Sequence, residues 1–193
     1  MRKMILNIIL ITLAFSITTL HAQEKPAQAI NICAAAIPLM HMYVINYEYL
    51  YHEHHGLAAR LEYNPMSGSG IDDATGIAVV LDYRWHFSPE LESFFVGPYI
   101  RYRYVDGSGT DAGTKFDFKV PEVNLGVNAG YRWIHDATGI NVVLAFGYGY
   151  SWVTEEITPT NDNIKSIFNK FKKDNDTFLD APFYGEFSIG YAF

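Results

Sequence analysis

The sequence predicts an all-β protein: an eight-stranded antiparallel up-and-down transmembrane β-barrel with short periplasmic turns and longer extracellular loops. Three observations carry this. Apolar and polar residues alternate with a period of two in run after run, which is the strand period. The connections between runs alternate between short and long. Of 193 residues 49% are apolar and 16% aromatic, yet after residue 22 no apolar stretch reaches the length of a membrane-spanning helix.

Taken in order, residues 1–22 set Arg2 and Lys3 before an apolar run from Met4 to Leu20 and place the small Ala22 where a signal peptidase cuts. A cleaved secretion signal is expected. Without it 171 residues remain, with 12 basic against 21 acidic groups and a net charge of −9. That balance and the lack of a basic stripe exclude nucleic acid as a partner. The remaining Cys33 has no second cysteine to pair with, so packing and backbone pairing must hold the fold. Cys33 also lies too far past the cleavage point for a lipoprotein cysteine and reads as a small buried strand residue.

Strands are expected at 29–37, 41–52, 57–63, 76–87, 94–105, 121–134, 140–153 and 182–193. In the run from Ile77 to Phe87 the odd positions are apolar, and the even positions include Asp82, Arg84 and His86. Val123 to Trp133 repeats the pattern. Short turns fall at 52–56, 88–93 and 135–139. Longer loops are expected at 64–75, 106–120 and 154–181, with a short connection around Pro38. DATGIAVVL at 73–81 echoes DATGINVVL at 136–144, at opposite ends of the expected barrel.

Charge chemistry assigns the faces. The polar face carries Arg60, Arg84, Arg101, Arg103 and Arg132 against Glu48, Glu62, Asp82, Glu122 and Glu186, without lysine. Arginine suits confined multidentate pairing, so this face is expected inside, where five acids and five arginines neutralise one another and plug the lumen. The other face is too rich in Tyr, Trp and Phe to fit inside eight strands. Its aromatics gather at strand ends in two belts with aliphatics between, the pattern of a lipid-facing surface. An even strand count lets the sheet close, as backbone in lipid requires.

The last strand alternates up to a terminal aromatic through Phe187, Ile189, Tyr191 and Phe193, which looks like the signal read by the outer-membrane assembly machinery. With this strand, the chain resembles small eight-stranded outer-membrane barrels of the OmpA and OmpX type. It is most similar to an uncharacterised family of such barrels, a domain of unknown function, through Asn31, Asn46-Tyr47-Glu48-Tyr49, Gly97-Pro98-Tyr99, Gly130-Tyr131-Arg132-Trp133 and Gly147-Tyr148-Gly149-Tyr150. The resemblance implies architecture and no catalytic residue.

Four constellations bear on chemistry. His86-Phe87-Ser88 with Glu90 is similar to the His-x-Ser of lipid A deacylase, but Pro89 stands where that enzyme has Asn, and the motif falls on the periplasmic side. His52, His54, His55, His86 and His135 map to one rim, where alternate histidines could chelate a metal and solvated turn histidines are the simpler reading. Asp106 to Asp111, with Asp117, loosely resembles a calcium loop but lacks its central glycine and terminal glutamate. Within the last loop Ile164, Ile167, Phe168 and Phe171 recur at helical spacing with Lys165, Lys170, Lys172 and Lys173 between them. Such a helix could lie on lipopolysaccharide phosphates or pack over the barrel mouth.

The expected function is non-enzymatic: a monomer in the outer membrane of a Gram-negative bacterium that presents surface loops to lipopolysaccharide, host or partner proteins. A narrow pore is the alternative, and a lipid A-modifying enzyme ranks third. No cofactor or metal is expected.

Overall fold

The structure is a computed structural model that describes residues 25–33, 36–37, 41–68, 70–159, 161–175 and 182–193. The expected secretion signal lies outside these residues. In chain order the elements are β1 (Gln28–Cys33), β2 (Tyr43–His52), β3 (His55–Gly68), β4 (Ile71–His86), β5 (Phe94–Asp111), β6 (Thr114–Ile134), β7 (Ile140–Val153), β8 (Glu156–Thr158), helix α1 (Asp162–Asp174) and β9 (Phe183–Ala192).

Strands β1 to β7 pair antiparallel in sequence order. β9 pairs with β7 on one side and β1 on the other, through Leu144↔Phe187 and Ile30↔Tyr191 for example. The hydrogen-bonded sheet therefore closes into a ring of eight strands, and β8 adds to the upper part of β6 through Phe118↔Ile157. One end of the ring, the turn end, carries the connections after β2, β4 and β6 together with the start of β1 and the end of β9, where the Gln28 N–H donates to the Phe193 carbonyl at 2.9 Å. The other, the helix end, carries α1.

Two expected loops are corrected to strand. Residues 64–75 continue β3 and β4, paired as far as Gly68↔Ile71, and residues 106–120 continue β5 and β6 to Asp111↔Thr114. The second pair is joined by Ala112 and Gly113, both at positive φ (48° and 86°), the backbone of a two-residue hairpin turn. The calcium-like stretch Asp106 to Asp111 is thus the end of β5, with no loop to wrap an ion. Residues 154–181 hold β8 and α1.

The reason these extensions escape a period-two reading is that the polarity of the strands inverts along their length. In the body of the ring, outward positions such as Leu61, Val79, Tyr102, Leu125 and Phe146 are exposed and apolar, while inward positions such as Glu62, Arg84 and Arg101 are buried and charged. Beyond Tyr63, Ile77, Tyr104 and Pro121 the sense reverses. Inward Met66, Ala74, Val105, Phe116 and Phe118 are buried and apolar, and outward Asp73, Asp106, Asp117 and Lys119 are exposed. The alternation continues with its apolar phase switched to the other face.

The inverted segments form a hydrophobic core above the ring, and α1 completes it. The Asn161 side chain caps the helix by accepting from the Ile164 N–H at 2.8 Å. Ile164, Phe168 and Phe171 are buried against Phe116, Phe118 and Met66, and the Phe118 ring lies 5.1 Å from Phe168 and 5.4 Å from Phe171. Of the two placements expected for this helix, the structure has it packed over the ring mouth. Lys165, Lys170 and Lys173 stay exposed, and Lys172 pairs with Glu155. Close backbone approach fixes glycine at two ring positions: a Cβ on Gly97 would sit 1.8 Å from the Tyr83 carbonyl oxygen, and one on Gly190 1.9 Å from that of Ile30.

Candidate functional site

The ring encloses a buried network of arginines and carboxylates. All ten polar-face residues named from the sequence, Glu48, Arg60, Glu62, Asp82, Arg84, Arg101, Arg103, Glu122, Arg132 and Glu186, are buried there. Each sits on the inward phase of its strand, so cross-strand register brings together residues far apart in sequence.

Toward the turn end Glu48 is the hub. One carboxylate oxygen accepts from Arg84 at 2.5 Å and also from Arg132; the other lies 2.9 Å from His86 Nε2. Arg84 reaches Glu186 at 2.8 Å and Asp82 at 3.2 Å with its second terminal nitrogen. Its guanidinium lies over the Phe95 ring, 4.4 Å from the centroid. The Tyr184 hydroxyl touches both Asp82 and Glu186, at 2.9 and 3.0 Å. Neutral donors fill the remaining carboxylate oxygens: Asn128 on Asp82, and Asn46 and Ser188 on Glu186. Arg132 also donates to Asn31 and Asn141.

Toward the helix end Arg60 pairs with Glu62 at 2.8 Å and lies over the Tyr184 ring. Glu122 accepts from Arg101 at 3.1 Å and from Ser151 at 2.7 Å, and its other oxygen forms an ion pair with Arg103 at 3.1 Å. Taking charges out of water is costly unless geometry and supplementary hydrogen bonds repay it; the carboxylates of Asp82 and Glu186 have both, whereas one oxygen each of Glu62 and Glu122 is held by an ion pair without a hydrogen bond. What the arrangement does chemically is fill the ring with mutually neutralising groups.

Both ends are closed. The apolar cluster under α1 covers the helix end. At the turn end Leu91, 1% exposed, packs with Ala29 and Ala192 and against Leu50 and Ile134. Its turn is fastened from within: Ser93 Oγ lies 2.9 Å from His86 Nδ1, and the Arg132 N–H donates to the Ser93 carbonyl.

The rim histidines need correction. His86 is fully buried between Glu48 and Ser93 rather than at the rim. Its even position beside Asp82 and Arg84 had already put it on the inward phase. Ser88 donates to the Glu92 carbonyl at 3.3 Å and Glu90 pairs with Lys25, so the His86-Phe87-Ser88 pairing is not formed. His54 lies on the Trp85 ring and contacts the His86 carbonyl, and His55 contacts the Tyr83 hydroxyl. Among the described residues no group of three or more His, Cys, Asp or Glu is placed to hold a metal ion.

Sequence reasoning did not connect Asn31, Asn46, Asn128, Asn141, Tyr184 or Ser188 to the network, although Asn31 and Asn46 stand among its motif residues, and it missed the Leu91 seal. Inward parity marks the first group. Leu91 lies in a turn, where no period applies.

No curated protein and no solved structure matches the chain. A family profile does match, over residues 8–177. The chain belongs to the family described as protein of unknown function DUF3575.

Proposed function

We propose that the protein is an eight-stranded β-barrel of a Gram-negative outer membrane, reached after signal cleavage, with the turn end in the periplasm and α1 outside. The observation that carries this reading is the inversion of polarity along single strands. A sheet in water throughout has no reason to turn its apolar phase outward over the ring body and inward above it. A sheet that passes from lipid into water has one, because the apolar side must face the poorer solvent at every level. The belt of Tyr, Trp, Leu and Val on the ring exterior is far larger than the apolar patches soluble monomers expose. Aromatic contacts gather at its two edges: Phe94–Tyr131 and Trp85–Phe87 at the turn end, Tyr43–Tyr63 and Tyr150–Trp152 at the helix end. Phe187 and Ile189 face outward on β9, the strand that closes the ring, in keeping with a terminal assembly signal.

Within that membrane the role is structural and interactional, not transport. The barrel anchors a folded extension of β3 to β6, β8 and α1 and presents it to lipopolysaccharide or to a protein outside the cell. The paired interior and the two seals argue against a pore.

Electrophoresis of the protein from outer-membrane fractions, with and without boiling, tests the reading. A heat-dependent mobility shift and no reproducible conductance in planar bilayers are expected. Recovery from soluble periplasm would overturn the membrane assignment, and discrete conductance steps would overturn the plugged interior.

A further inference from the structure

The ring exterior is not evenly covered. On β5, β6 and β7, near the turn end, a groove of about 660 Å3 runs between aromatic walls. Its floor is the Ala129 methyl and the backbone at Gly130, and its walls include Phe94, Tyr131, Leu144 and Phe146. Register explains the depression: Ala129 lies directly between Val96 on β5 and Phe146 on β7, a small side chain in a belt of large ones. Gly130 adds nothing to this face, since a side chain there would point into the ring, where its Cβ would come 2.7 Å from the Phe95 ring and 2.6 Å from the Leu144 carbonyl oxygen. The walls are braced, with Phe94 and Tyr131 centroids 4.5 Å apart and Tyr131 and Trp133 4.6 Å apart.

We propose that this groove is a binding site for one acyl chain of a membrane lipid from the leaflet at the turn end. The inference rests on the membrane-spanning reading above. Three features select the occupant. The lining is hydrocarbon and aromatic ring, so it suits a chain and offers a headgroup only the hydroxyl of Tyr131 and the indole N–H of Trp133 near the ring's edge. From Trp133 to Ala129 is four strand residues, about 14 Å along β6, which at a strand tilt of about 45° spans about 10 Å of depth, inside the roughly 15 Å hydrocarbon depth of one leaflet. The walls also stand proud of the surface, with Phe94 63% and Phe146 67% exposed. Two copies meeting here would set wall against wall and leave both grooves empty, forfeiting the contacts that make packing favourable. A flexible chain enters the groove without moving the walls.

The three tryptophans, Trp85, Trp133 and Trp152, supply the test. Two reporters of the full chain are made, one retaining only Trp133 (Trp85→Phe, Trp152→Phe) and one retaining only Trp152 (Trp85→Phe, Trp133→Phe). Each is folded into phosphatidylethanolamine–phosphatidylglycerol vesicles whose acyl chains are brominated, then transferred into detergent without brominated lipid. Bromine quenches tryptophan on contact. Both reporters should be quenched in the vesicles. After transfer Trp152 should recover and Trp133 should stay quenched, with one lipid per chain by native mass spectrometry. Ala129→Leu in the Trp133 reporter should recover as Trp152 does. Recovery of Trp133 together with Trp152, or a mass of two chains without lipid, overturns the groove proposal and leaves the barrel reading standing. If neither reporter is quenched in the vesicles, the membrane reading and the groove fall together.

Discussion

Glu48→Gln is the most informative change in the interior. Glutamine keeps the shape of the side chain but removes the charge and turns one acceptor oxygen into a donor. In the wild type the carboxylate accepts from Arg84, Arg132 and His86. Arg84 retains Asp82 and Glu186 after the change, whereas Arg132 is left with Asn31 and Asn141 as its direct partners. Arg132 is fully buried, so its charge becomes uncompensated, and breaking one side of a buried pair costs about 3–5 kcal/mol. That is a large share of the 5–15 kcal/mol typical of a domain. Arg132→Gln alone should cost about as much. The double variant removes the orphaned charge, so it should be less destabilised than the sum of the singles by about 1–3 kcal/mol. Denaturant unfolding of the protein in lipid vesicles, followed by tryptophan fluorescence, measures all three, and gel mobility without boiling reports whether the ring still closes. A Glu48→Gln cost below about 1 kcal/mol, or strict additivity of the two changes, would refute the hub assignment.

Three further outcomes follow from the same contacts. Phe168→Ala should destabilise the extension by about 3–5 kcal/mol, seen as faster amide exchange in α1 with heat-modifiable mobility retained; loss of the mobility shift would mean that the ring depends on its cap. Gly97→Ala should yield no heat-modifiable form, because its Cβ would overlap the Tyr83 carbonyl oxygen, and normal folding of this variant would show that the close approach is absent. Ser93→Ala should cost about 1–3 kcal/mol by leaving the buried His86 Nδ1 without its partner, while Ser88→Ala should be silent in the same unfolding measurement; the reverse order would restore the His86–Ser88 pairing.

The inward charges were legible because strand parity is strict: once Asp82 and Arg84 share a face, Glu186 and Arg101 can be assigned to it from their own runs. Parity also marked His86 as inward, although grouping it with the turn histidines obscured this. The helix was legible from the spacing of Ile164, Phe168 and Phe171, since a 3.6-residue period stands out in a chain whose background period is two. The upper strands were not. Val105, Phe116 and Phe118 carry the apolar phase on the face that is charged lower down, so a scan for one continuing apolar face ends each strand at the inversion. The echo shows context overriding local sequence: Asp-Ala-Thr-Gly is strand at 73–76 and, at the opposite end of the ring, begins as turn at 136–138.

The strand period, the two chemically distinct faces and the equality of five arginines and five carboxylates were readable before any folding, because each follows from residue type and spacing along one chain. That Glu48 is the hub, that Ser93 rather than Ser88 meets His86, that Leu91 and α1 close the two ends, and that the Ala129 groove lies open on the outer face emerged with the folded ring. These depend on which residues of different strands fall side by side, and that is set by register and ring closure, which join positions as distant as Arg84 and Glu186.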